Sequence, residues 1–281
     1  MRSRCRGAPF GPAGVLMRAE GWEADPVRAR GSKSYDLVLV HGLLNIHRWS
    51  RRFLERCVEQ WGSGRVYVVY LNPPLQIWRK QLGHGTVTFI GRNDLTAGTR
   101  TVDVQAQDLA AKVRALRSRC GLSRPFSVIA HSMGGIVARR YMADHPEEVA
   151  AVVTLGTPHH GSPLAEHYRW LGSLLGAKGA FANLTPSWLA RFNQEHPPDR
   201  YGPVYTVRGY GRPGRDWGVL GELLVGGAHL HWLCGTRSDG LVPEGSAVIE
   251  GAVHIADLPG YHHLDLVRRP EVADLCARYL P

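Results

Sequence analysis

Lysine is scarce in this chain of 281 residues: only Lys33, Lys80, Lys112 and Lys178 stand among 34 basic side chains. The formal net charge of +10 is therefore carried mainly by arginine. The arginines are scattered along the chain, gathered neither on one helix nor on one arm, and no aromatic residues interleave a basic patch. That pattern argues against a nucleic-acid-binding module and leaves an arginine-rich surface open to anionic partners. No run of about 18 uninterrupted apolar residues exists, which excludes a membrane-spanning helix. The five cysteines, Cys5, Cys57, Cys120, Cys234 and Cys276, are odd in number and widely spaced. They form neither a C-x-x-C metal pattern nor the dense framework of a small secreted domain, so free thiols are expected. Internal repeats and low-complexity segments are also absent.

The start, Met1-Arg2-Ser3-Arg4-Cys5-Arg6, is basic, but Pro9, Pro12 and three glycines interrupt the stretch from Gly7 to Leu16. It makes a poor apolar segment with no convincing small-residue cleavage site, so no secretory leader is expected and the cytoplasm is favoured over export. Residues 1–33 read as a loosely docked extension. At 44% hydrophobic and 21% charged residues, the remainder, 34–281, suits one domain with a sizeable core and a small insertion.

What is present is an alternation. Tyr35 to Val40, Val66 to Leu71, Phe126 to Ala130 and Ala150 to Leu155 are short continuous apolar runs, as strands buried on both faces require. Between them Ser50 to Trp61 and Val102 to Arg119 have helical periodicity. Thr86 to Ile90 fits either an edge strand or a covering loop. Pro203 to Arg208, His229 to Gly235 and Val253 to Ala256 read as further strands, and Leu264 to Tyr279 includes a closing helix. The fold class is α/β, a mostly parallel sheet flanked by helices. Residues 159–200 break the rhythm with two amphipathic segments, around His167–Leu175 and Ser187–Phe192. They suggest a small helical cap.

Directly after the Phe126 to Ala130 strand comes His131-Ser132-Met133-Gly134-Gly135, and after it the helical Ile136-Val137-Ala138-Arg139-Arg140-Tyr141-Met142. This reads as a strand turning sharply into a helix, with Ser132 at the apex and its hydroxyl exposed at the end of the sheet. The turn needs small neighbours; Ala130 and Gly134 supply them, Ala130 replacing the first glycine of the usual G-x-S-x-G. A serine nucleophile needs a base, an orienting acid and two fixed N–H donors for the oxyanion.

The run A-H-S-M-G-G resembles the nucleophile elbow of bacterial triacylglycerol lipases and their esterase relatives, within the α/β-hydrolase superfamily. L-V-H-G-L-L at 39–44, T-L-G-T-P-H-H-G-S-P-L-A at 154–165 and S-D-G-L-V-P at 238–243 resemble the oxyanion loop, the approach to the cap and the acid loop. With the histidine near 263, the likeness covers roughly residues 35–281. It implies an α/β-hydrolase fold and a serine ester hydrolase, a lipase of medium- to long-chain acyl esters, with short-chain esterase or acyltransferase as alternatives. It assigns Ser132 as nucleophile and Asp239 as acid, with Asp257 and Asp216 as the other acids able to serve. For the base, His263-Leu264-Asp265-Leu266-Val267 fits the family register better than His262. Met133, the residue after the nucleophile, and by resemblance Leu43 offer the oxyanion N–H groups, with Gly42 permitting close approach.

His41 is expected to be structural, with His47 and Trp49 near the pocket mouth. His229 and His231 would share one face of a strand, and His159-His160 open the cap, but neither pair has further ligands nearby. Asp265 sits where some relatives hold calcium, yet Arg269 replaces a neutral amide there. No metal and no cofactor are therefore expected. The expected partner is a lipid or other ester, with transient contact at a lipid–water interface.

Overall fold

The apolar tetrapeptide Leu37-Val38-Leu39-Val40 explains why a central sheet forms here. In an extended chain alternate side chains point to opposite faces. Val38 and Val40 enter one core, Leu37 and Leu39 another, and all four are buried. The computed structural model describes residues 33–43, 49–83, 85–167, 169–211 and 235–281, and only the backbone of Arg169 and Leu171.

The chain order is β1 (Leu37–Val40), α1 (Arg51–Trp61), β2 (Val66–Val69), β3 (Ile77–Leu82), β4 (Gly85–Ile90), α2 (Val102–Cys120), β5 (Phe126–His131), α3 (Met133–Asp144) and β6 (Val149–Leu155). Four helices follow: α4 (Pro163–His167), α5 (Arg169–Leu174), α6 (Lys178–Asn183) and α7 (Pro186–Glu195). The described chain closes with β7 (Val204–Tyr210), β8 (Val253–Pro259) and α8 (Pro270–Tyr279). The eight strands form one sheet in the order β3-β4-β2-β1-β5-β6-β7-β8. Every pairing is parallel except β3 with β4.

Helix ends follow local chemistry. The Ser50 hydroxyl caps α1 by accepting from the Phe53 N–H, and Thr101 caps α2 through the Val104 N–H. Phe53, Leu54, Cys57, Val58 and Trp61 form one stripe of α1, buried in the core that also holds Val272, Ala273 and Cys276 of α8. Helices α2 and α3 cover the opposite face, together with Ala177, Ala180, Leu189 and Phe192 of the α4–α7 insertion. The described cysteines Cys57, Cys120 and Cys276 are free thiols, and burial raises the pKa of Cys57 and Cys276.

Several sequence expectations are refined. Thr86 to Ile90 is strand β4, one place inside the edge; the edge strand is β3, within a stretch whose sequence was ambiguous. The insertion holds four short helices where two segments were expected, because Gly176, at φ 65°, and Thr185-Pro186 end turns of helix. Val253 to Ala256 extends to Pro259, so Asp257 lies inside a strand where a strand end was expected. The closing helix starts only at Pro270, which is suited to a first helical turn; Asp265–Val267 is a separate 3-10 turn. The extension through residue 32, His47, and all of the 229–235 strand but Gly235 lie outside the described residues. Among the described residues no helix is long and apolar enough to cross a membrane.

Candidate active site

Parallel strands deliver their following loops to one end of a sheet, where open α/β sheets place their sites. Here the loops after β1, β5, β6 and β8 converge there, joined by the loop carrying Asp239.

Ser132 sits between β5 and α3 at φ 55°, ψ −133°, the one non-glycine residue with positive φ among those described. Such backbone costs about 1–3 kcal/mol and persists only where its surroundings hold it. The Ser132 N–H donates to the Leu155 carbonyl at 2.9 Å. Its own carbonyl accepts from the Gly135 N–H at 3.0 Å and the Thr157 hydroxyl at 2.8 Å. The start of α3 lies so close to β1 that a Cβ on Gly134 would collide with the His41 carbonyl oxygen and stand 2.9 Å from that of Val40. A Cβ on Gly42 would be 2.7 Å from the Ser132 Cβ and 3.2 Å from its Oγ. Gly42 thus lies beside the serine, and Leu43 follows it in the chain. Met133 opens α3, so its N–H has no carbonyl behind it within the helix.

Asp239 and His263 are both fully enclosed. Oδ1 of Asp239 accepts from the Leu241 and Val242 N–H groups at 3.1 and 2.8 Å. Oδ2 accepts from Nδ1 of His263 at 2.6 Å. A carboxylate only accepts, so the His263 proton sits on Nδ1 and the Nε2 lone pair faces away from the acid. The His263 N–H also donates to the Asp239 carbonyl at 2.8 Å. Gly156, after β6, comes so near that a Cβ there would be 2.8 Å from Asp239 Oδ2 and 3.2 Å from His263 Nδ1.

The two other acids behave differently. Asp257 receives His254 Nε2 at 2.9 Å and a two-pronged pair from Arg208, and these partners hold its carboxyl below the usual range despite the opposing effect of burial. Asp216 lies outside the described residues. His262 is not the histidine paired with Asp239; its N–H donates to Asp265 Oδ2, and its ring packs on Gly211. Asp265 has its other oxygen on Arg269 at 3.2 Å.

His41 and His159 are interior fixtures. His41 donates from Nδ1 to its neighbour's carbonyl, of Gly42, and accepts the Leu71 N–H at Nε2. Burial lowers its pKa to about 4, so it is neutral. His159 accepts from Arg139 at Nδ1 (3.2 Å) and reaches the Thr154 hydroxyl at Nε2 (3.1 Å); burial and the nearby guanidinium push its pKa far down. The buried Trp49 packs on Phe53 and edge-on to His131. His229 and His231 lie outside the described residues. Among the described residues no three potential ligands from His, Cys, Asp and Glu gather as a metal site.

Sequence reading missed Thr157, whose hydroxyl steadies the serine carbonyl, and the part played by His131. Thr157 lies within the 154–165 motif; its partner 25 positions earlier was the missing information.

The fold is shared with known proteins. Curated triacylglycerol lipases from Burkholderia plantarii and Pseudarthrobacter phenanthrenivorans are each 26% identical to this chain, over 56% and 47% of it. The matches span 38% and 35% of those relatives, so the chain covers little more than a third of their length. A Bacillus licheniformis lipase in its mature form superposes with a TM-score of 0.62 at 24% identity, over 89% of this chain and 93% of the other. A metagenomic carboxyl esterase gives 0.65 at 19% identity, over 94% and 80%. Residues 37–197, more than half of the chain, match the pattern of the alpha/beta hydrolase fold. The chain therefore belongs to the alpha/beta hydrolase fold family.

Proposed function

We propose that the protein is a serine carboxylic-ester hydrolase that acts on medium- to long-chain acyl esters through an acyl-enzyme. The observation that carries the proposal is a serine held at positive φ on a strand-to-helix turn, whose preceding residue His131 contacts a buried His263 paired through Nδ1 with Asp239. In this reading His263 Nε2 takes the proton of Ser132 as Oγ attacks the ester carbonyl. The oxyanion receives the Leu43 and Met133 N–H groups. The tetrahedral adduct collapses, His263 protonates the departing alcohol, and a water activated by the same imidazole releases the acid. Asp239 keeps the imidazole in this tautomer and offsets the charge it gains. The scheme uses side chains and backbone donors alone and calls on no metal or cofactor.

The acyl preference rests on the α4–α7 insertion, proposed as a cap over the site. Leu184 and Leu189 of the insertion pack on the domain. Trp170 and Leu174 stand 64% and 75% exposed, an apolar surface suited to lipid. The curated relatives named triacylglycerol lipases favour the same substrate class. Hydrolysis of nitrophenyl esters of increasing chain length and of emulsified triglyceride, by wild type and by Ser132→Ala, tests the proposal. Each buried methylene adds about 0.8 kcal/mol, so kcat/KM should climb roughly fourfold per carbon until the site is full. An optimum at acetate, with triglyceride untouched, would make it a short-chain esterase; transfer to an added alcohol in preference to water would make it an acyltransferase. Activity lost on prolonged chelation and restored by calcium would overturn the metal-free scheme.

A further inference from the structure

We propose that His131 is a positioning residue for the catalytic base, an inference that rests on the triad reading above. His131 ends β5 and immediately precedes Ser132, yet its side chain serves the loop that carries His263. It is fully buried, and its Nε2 lies 3.0 Å from the His263 carbonyl oxygen. A carbonyl oxygen only accepts, so His131 carries a proton on Nε2 and donates it there. The centroids of the two imidazole rings stand 4.4 Å apart, and Trp49 meets His131 edge-on.

The main chain of His263 is thereby held at both ends: its N–H by the Asp239 carbonyl and its C=O by His131. Asp239 alone can fix the tautomer and the Nδ1 side of the ring. It does not fix the distance between the base and the serine, because Asp239 belongs to a different loop from either. His131 does, since the residue that grips the base's backbone is covalently joined to the nucleophile. Any shift of the elbow relative to the loop after β8 must stretch this one hydrogen bond. The requirement is tight, because a displacement of about 1 Å at a reacting pair can cost on the order of a hundredfold in rate.

Three variants, assayed beside Ser132→Ala, test this. His131→Leu fills a similar apolar volume without a donor, whereas His131→Gln keeps an N–H at about the reach of Nε2. The expected result for His131→Leu is a kcat lower by about tenfold to a hundredfold, KM within about twofold, and a cooperative thermal transition retained. His131→Gln should recover most of that loss. His131→Asn, whose amide stops short of the carbonyl, should not. A His131→Leu enzyme with wild-type kcat, a change confined to KM, or equal losses in the Leu and Gln variants would overturn the positioning role. Ester turnover retained by Ser132→Ala would instead overturn the triad reading and this inference with it. A silent His131→Leu beside an inactive Ser132→Ala sinks the positioning role alone.

Discussion

The strained backbone of Ser132 is held by hydrogen bonds to its N–H and C=O from Leu155, Gly135 and Thr157, so the strain belongs to the fold and its removal should be measurable. Ser132→Ala keeps the Cβ and therefore the strain; it should lose on the order of 10⁴ or more in kcat without losing stability. Ser132→Gly should be equally inactive yet about 1 kcal/mol more stable than the alanine variant in chemical denaturation, because the gain at positive φ exceeds glycine's entropic cost. Equal stabilities would mean that this turn stores nothing. His263→Ala should match the serine variant in its effect on kcat, whereas His262→Ala, whose residue meets Asp265 through its backbone N–H and C=O, should be much milder; reversed outcomes would move the base to His262. Ser132, Asp239 and His263 could be put forward from sequence because each sits in a local motif. It could not reveal His131 as a donor to a carbonyl 132 positions later, since nothing near either residue encodes that meeting.

Between elements, the start of α3 is joined closely to the end of β1. Gly134→Ala puts a methyl group onto two backbone carbonyls that cannot rotate away, those of His41 and Val40. The expected cost is about 1–3 kcal/mol of stability. Because the same loop carries Leu43, kcat should fall as well; wild-type denaturation midpoint and rate together would show that the two elements can part without consequence. The parallel strands were legible for a simple reason: runs such as Leu37–Val40 are buried on both faces and therefore uniformly apolar. Edge strand β3, Ile77–Leu82, was not, because Arg79, Lys80 and Gln81 stay exposed and erase the pattern. The insertion was legible as helical but not in its breaks, at Gly176 and at Thr185-Pro186.

Across the molecule, buried basic groups make stability depend on pH with one sign. Burial lowers the pKa of His41 from 6.5 to about 4 and also lowers those of His159 and His160. Unfolded, these imidazoles take up protons near pH 6.5; folded, His41 resists until about pH 4. The stabilisation is therefore full above 6.5 and falls as pH drops through that window, by about 3 kcal/mol from His41 alone. Denaturation midpoints should decline steadily from pH 7 to 4.5, and less steeply in His41→Gln; a flat profile would mean that the imidazole is charged in the fold. The two buried thiols offer a different use. Cys57 on α1 and Cys276 on α8 face the same core, and burial keeps both in the unreactive protonated form. With Cys5, Cys120 and Cys234 replaced by serine, a chromogenic disulfide reagent can reach them only while those helices part. Its rate, followed to saturation in reagent, then becomes a clock for the opening of the layer that adjoins the His263 loop, read by absorbance in an otherwise native protein.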